Sequence, residues 1–138
     1  MNADETEVWE LHRGFVEANP VARHEFLEDH MAPGDILLWY NLNQSNYHGV
    51  DHIVSLWKML KEAMAGRPAR FDARDEQVTV IGDVGIVTYL GDLYADFGEL
   101  GTFEQACRST EVWQRTDGDW KMIHFHCSNH VPGVMGGH

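Results

Sequence analysis

The chain has 138 residues, 43% of them hydrophobic and 23% charged, and a net charge of −12 with histidine neutral. That length fits one domain with a core that needs no staples. The acid excess argues against nucleic acid or an anionic membrane as partner, because like charges repel.

The opening stretch MNADETEVWE is acidic and polar, unlike a signal peptide. Residues 4–18 place Val8, Leu11, Phe15 and Val16 at helical spacing, and Asn19-Pro20 ends that helix. Pro20 is expected to open a second helix running to about His30, with Val21, Phe26 and Leu27 inward. Residues 32–35 read as a turn, residues 36–41 as a short aromatic strand, and LNQSNYHG after it as a polar loop. Residues 51–65 form a third helix with Ile53, Val54, Trp57, Leu60 and Met64 on one face, closed by Gly66-Arg67-Pro68.

Beyond residue 70 the pattern is β-rich. Gly82-Asp83 and Thr116-Asp117-Gly118-Asp119 sit where hairpin turns belong. The glycine-rich tail from about residue 129 is expected to be mobile. No apolar run approaches the ~18 residues a membrane helix requires, and a cytoplasmic location is expected. Cys107 and Cys127 have no metal-type spacing; reduced core thiols are expected, although a bridge between neighbouring strands also fits. Helices followed by a run of antiparallel strands define an α+β layout, a sheet roofed by segregated helices around one 138-residue domain. A strongly bent sheet of this kind leaves a hollow where small molecules bind.

The run STEVWQRTDGDWKMIHFHCS, residues 109–128, resembles the final hairpin of the calcium/calmodulin-dependent kinase association domain. VIGDVGIVTY, residues 80–89, and YHGVDHI, residues 47–53, support the match. More broadly the chain resembles the SnoaL-like proteins and the cone-shaped fold of nuclear transport factor two and ketosteroid isomerase, with the kinase domain as the nearest type. The resemblance implies a homodimer or larger ring and a deep internal pocket. It does not carry that domain's pocket arginines, since Glu111 and Cys127 stand at two of their positions. Nor does it carry the isomerase base, because residues 39–46 contain no Asp or Glu.

Strict alternation puts Trp120, Met122, His124, His126 and Ser128 on one face of the last strand, and Lys121, Ile123, Phe125 and Cys127 on the other. If Arg108 and Thr110 face the same way as His126 and Ser128, they form a polar cluster that is either self-satisfied or a site. In that reading His126, Arg108 and Ser128 are the candidate catalytic groups, since imidazole shuttles protons near neutral pH and a guanidinium holds an enolate or carboxylate. Trp39, Tyr40, Trp57, Tyr89, Thr110, Glu111, Trp113 and His124 are the candidate pocket wall. A purely structural role for the histidines competes with this. So does a metal on the H-x-H pair, with His130, Glu111 or His52 as third ligand, although no spacing fixes that ligand and no metal or cofactor is expected.

HFHCS, residues 124–128, also resembles in part the H-H-H-S-S run of iota-class carbonic anhydrases, with Phe125 and Cys127 replacing its middle His and first Ser. The expected function is therefore a SnoaL-like pocket for a small organic ligand, with cofactor-independent proton transfer of isomerase, cyclase or hydratase type. The alternatives are a non-catalytic oligomerisation or ligand-binding module and a carbonic anhydrase of the iota type.

Overall fold

The computed structural model describes residues 1–138. Helix α1, Ala3–Ala18, starts from a capping box: the Asn2 side chain accepts the Glu5 N–H at 2.8 Å, and the Glu5 carboxylate accepts the Asn2 N–H at 3.1 Å. Its inward stripe is Val8, His12, Phe15 and Val16, so a titratable residue occupies a core position one turn from Val8. Helix α2, His24–His30, begins later than the Pro20 start expected from sequence. Ala22 adopts φ 52°, a left-handed conformation that no helix can pass through, and Pro20 therefore sits in the connecting turn.

Strand β1, Leu38–Tyr40, pairs with β2, Asn46–His48, inside the stretch whose sequence reads as a loop. Three residues are too few to show alternation. Helix α3, Val50–Met64, ends where Ala65 and Gly66 take φ of 49° and 76°. Four long strands follow: β3 Ala69–Ile81, β4 Val84–Asp96, β5 Thr102–Thr116 and β6 Asp119–Asn129. The β5–β6 turn has positive φ at both central residues, Asp117 and Gly118, which suits the right-handed twist of the strands it joins. The sheet order is β2-β1-β6-β5-β4-β3, antiparallel except where β1 runs parallel to β6. Three helices on a curved six-stranded sheet give the α+β fold expected from sequence, built on a core cluster of 24 buried residues. No helix is long and apolar enough to cross a membrane. The tail carries a short turn at Val134–Gly136, and the His130 Nε2 meets the His138 carbonyl at 2.9 Å.

Two irregularities decide which side chains face the helices. In β3 the register shifts between Arg74 and Gln77, with Asp75 at φ 53°. Before the shift Ala69, Phe71 and Ala73 are the more buried positions; after it Glu76, Val78 and Val80 are. Between β5 and β6, Val112 pairs with His124 while Trp113 pairs with Met122, leaving Ile123 as an extra residue. Trp120 and Met122 therefore lie inward together with Phe125 and Cys127, while His126 is exposed and His124 and Ser128 are half-buried. The single-face set drawn from alternation is thus corrected. The extra residue is held in place where Met31 bridges to Met122 and the Ala32 N–H donates to the Met122 carbonyl at 2.9 Å. Packing on the inner face is close: a Cβ on Gly91 would sit 2.4 Å from the Phe71 ring.

Candidate functional site

His12 projects from α1 into the sheet and is fully buried. Its Nδ1 meets Glu111 Oε2 at 2.7 Å, and its Nε2 forms a short contact with Glu76. Glu111, also fully buried, accepts a second bond from Trp113 Nε1 at 3.0 Å on its other oxygen. Glu76 is the outermost member, with 13% of its side chain exposed and Arg13 Nη1 at 3.3 Å. Both imidazole nitrogens thus face carboxylate oxygens, so a protonated ring donates to Glu111 on one side and to Glu76 on the other. Burial alone pulls the His12 pKa down. The bonds and charges of Glu111, then those of Glu76, more than reverse that and hold it above the ordinary 6.5.

A pH dependence follows from this shift. The native state holds the His12 proton more tightly than the unfolded chain does, so the imidazolium's contribution to stability is fully present below pH 6.5 and is lost as pH rises through the raised native value. Urea midpoints are expected to fall with rising pH on the alkaline side of 6.5, and that part of the slope to vanish in His12→Gln. An unchanged slope in the variant would show that His12 does not titrate this way.

Tyr89, on β4, joins this triad to the hollow of the fold. Its ring lies 4.6 Å from the His12 ring. Burial, then the adjacent Glu111 charge, push the phenol far above its ordinary pKa, so the hydroxyl stays a neutral donor. Tyr89 also lines a cavity of about 220 Å³ between sheet and helices. Of its 19 lining residues 15 are hydrophobic, and none is Asp, Glu, Lys, Arg or His. Aromatic rings from Phe15, Trp57, Phe71 and Phe125 form much of the wall, while Asn19, Asn41 and Asn43 supply amides from the α1–α2 and β1–β2 connections. Phe97 from the β4–β5 connection and Phe103 from the start of β5 border the same cavity, Phe103 remaining exposed.

Of the wall residues expected from sequence, Trp57 and Tyr89 line this cavity. Trp39 and Trp113 are fully buried in the core beside it, Trp39 against Phe15, Trp57 and Phe125. Glu111 belongs to the triad. Thr110, His126, Arg108 and Ser128 come together on the opposite, unroofed face, in a shallow polar depression shared with Asp75 and Thr88. There Arg108 Nε donates to Ser128 Oγ at 3.1 Å. Tyr40 stands between His124 and His126 on that side, with ring centroids at 5.4 and 5.5 Å. His124 Nδ1 is engaged with the Leu38 carbonyl at 2.7 Å, and the two histidine rings lie 6.4 Å apart. No group of three or more His, Cys, Asp and Glu is placed to hold a metal ion.

The sequence reading missed His12 and Glu76. For His12 the signal was present: it falls one helical turn from Val8 and one from Phe15 on the apolar stripe of α1. For Glu76 the only hint was the broken alternation in ARDEQ, because the bulge itself turns the side chain inward.

A curved six-stranded sheet closed over three helices, with an apolar cavity between them and the buried row Glu111–His12–Glu76 behind one wall, defines a cone-shaped α+β fold. Residues 8–132 match the SnoaL-like domain family, and the chain belongs to that family. Solved structures agree on the fold. A superfamily protein of the nuclear transport factor 2 (NTF2-like) type from Salmonella enterica superposes with a TM-score of 0.81 at 14% identity, over 97% of this chain and 96% of that one. An NTF2-like family protein from Streptomyces avermitilis, provisionally described as a dehydratase, gives 0.78 at 17% identity over 95% and 99%. The CaMKII hub of S. rosetta gives 0.70 at 18% identity over 94% and 99%. The hub is thus similar in fold but less so than the Salmonella protein, which corrects the expectation that the kinase domain is the nearest type. No curated protein matches the chain.

Proposed function

We propose that the chain binds a neutral, largely apolar small molecule in the internal cavity and moves a proton on it without a cofactor, as a dehydratase or isomerase does. The observation that carries this reading is the hydrogen-bonded row Glu111–His12–Glu76, buried directly behind the cavity-lining Tyr89. A charged ligand would find no counter-ion in the wall. A cavity of about 220 Å³ suits one or two rings, given that an apolar void of about 150 Å³ holds benzene. Tyr89 is the cavity-lining group that faces this row. Its phenol oxygen takes the α-proton as its own proton passes to Glu111 behind it, while an Asn19 or Asn41 amide donates to the carbonyl oxygen, where charge develops on forming the enolate. The row exchanges the proton with solvent through Glu76. The provisional dehydratase of the same fold belongs to this reaction class.

The test uses cyclohexanone as an uncharged probe. Its α-protons should exchange into D2O faster with the protein than in buffer, read by NMR, with binding followed by Trp57 fluorescence. Tyr89→Phe keeps the wall but removes the hydroxyl that relays the proton, and should lower the exchange by ~10²–10⁴-fold while binding persists. Binding with no exchange above buffer would reduce the chain to a ligand-binding module.

A second reading, self-association through the unroofed sheet face, is supported by the exposed Arg108 and His126 lying over that face with no element covering them. It gives those residues and Ser128 a place in an interface between copies, as an assembly module would need. In light-scattering chromatography the chain should elute as at least a dimer, and Arg108→Glu should shift it toward monomer. A monomeric wild-type chain would remove this reading.

A further inference from the structure

Three side-chain amides border the otherwise apolar cavity, and their hydrogen bonds set them apart. Asn43 is engaged at both ends: its Oδ1 accepts the Ser45 N–H and its Nδ2 donates to the Tyr47 hydroxyl, each at 3.0 Å. Asn19 is tied through its backbone alone, its N–H donating to the Phe15 carbonyl at 2.9 Å and its carbonyl accepting from Ala22 at 3.1 Å. Asn41 differs from both. Its Oδ1 accepts the Trp39 Nε1–H at 3.0 Å, while no protein group accepts from its Nδ2. An indole N–H can only donate, so the amide must turn its oxygen to Trp39 and its NH2 away from it.

The backbone fixes where that NH2 stands. Asn41 lies two residues past the buried Trp39 and so on the same, inward side of the chain. One step beyond the pairing of Tyr40 with His126, it comes beside Cys127 in the cavity wall. Its own N–H donates to the Ser45 carbonyl and its carbonyl accepts from Gln44, each at 3.0 Å. Trp39 in turn is fully buried among the rings of Phe15, Trp57 and Phe125. Backbone and side chain of Asn41 are thus both held before a ligand arrives, and a donor ordered in advance loses little freedom on binding.

We propose that Asn41 is the specificity-determining donor of the cavity, selecting neutral ligands whose carbonyl oxygen meets its NH2, and that Trp39 is the positioning residue that keeps the amide turned this way. This deepens the cavity reading and rests on it. Tyr89 directs its hydroxyl to Glu111, so the oxygen of a bound ketone needs its donor from elsewhere in the wall. A hydrocarbon of the same shape would cover the NH2 and leave it without an acceptor, a loss the ketone avoids. A carboxylate would meet no cation in the wall to replace its water. The class selected is therefore an uncharged ketone or aldehyde with an apolar body.

The experiment titrates the full chain with cyclohexanone and with methylenecyclohexane, which carries a CH2 in place of the carbonyl oxygen, and follows both by NMR. Water solvates the two probes differently, so the readout is how each variant changes the ratio of their Kd values. Asn41→Leu should reduce the preference for the ketone about tenfold, mainly by weakening cyclohexanone. Should leucine exclude both probes, Asn41→Ala carries the same comparison. Trp39→Phe keeps a ring but removes the N–H, and should reduce the preference at least about threefold as the amide turns freely. General loosening of the core would weaken both probes alike and leave the ratio as it was. A ratio unchanged in the Asn41 variants would overturn the donor and leave the cavity reading standing, as would a fall in Asn19→Leu in their place. A ratio unchanged in Trp39→Phe would overturn the positioning role. Failure of both probes to bind the unsubstituted chain would remove this inference together with the cavity reading.

Discussion

His12→Ala is expected to destabilise the protein by about 3–5 kcal/mol, the usual cost of stripping one partner from a buried ion pair. The imidazole is fully buried, and its Nδ1 lies 2.7 Å from the equally buried Glu111 carboxylate. With the ring gone, Glu111 keeps only the Trp113 indole N–H as a donor. The size of the loss therefore reports an orphaned charge more than missing packing. Replacing both charges together separates the two: His12→Leu with Glu111→Gln leaves an acceptor for Trp113 and no ion in the core. That double variant should recover most of the loss in urea unfolding. A single-variant cost below about 1 kcal/mol would mean that no charge is stranded there, and the ionised triad would have to be abandoned.

The second large effect is expected at Trp39. This ring is fully buried, with centroid distances of 4.5 Å to Phe125, 5.7 Å to Phe15 and 5.9 Å to Trp57. Its Nε1–H donates to Asn41 at 3.0 Å, fixing the first residue of the β1–β2 loop. Trp39→Ala should cost about 3–5 kcal/mol, because so rigid an aromatic cluster cannot collapse onto the void. The three residues of β1 hold the small hairpin to β6, so the loss should be accompanied by loosening of the rim bearing Asn41 and Asn43. Added indole should restore part of the stability, since a dry void of aromatic size takes up matching ligands. Absence of any indole effect, with the full destabilisation present, would show that the hairpin detaches rather than leaving a shaped hole.

The fold was legible because its signals are local. The apolar stripe of α3, the Asp117-Gly118 turn and the β-rich second half each declare themselves within a dozen residues. The placement of chemistry was less legible because it depends on single-residue shifts. His126, Arg108 and Ser128 were grouped correctly as neighbours, since cross-strand register on β5 and β6 follows from the turn. Which side of the sheet they occupy depends on the extra residue at Ile123, which no periodicity announces. Glu111 was noted at a wall position, but it lies 99 residues from its partner His12, which in turn lies 64 residues from Glu76. Such long-range pairing leaves no trace in a window of sequence.

That one added residue also governs how relatives of this chain should be compared. An ungapped alignment of two terminal strands, one carrying the insertion and one straight, would turn one of them inside out on one side of Ile123. Positions equated on paper would then lie back to back through the thickness of the sheet. Motif likenesses spanning residues 120–128, however good letter by letter, transfer a chemical role between family members only after this offset has been matched.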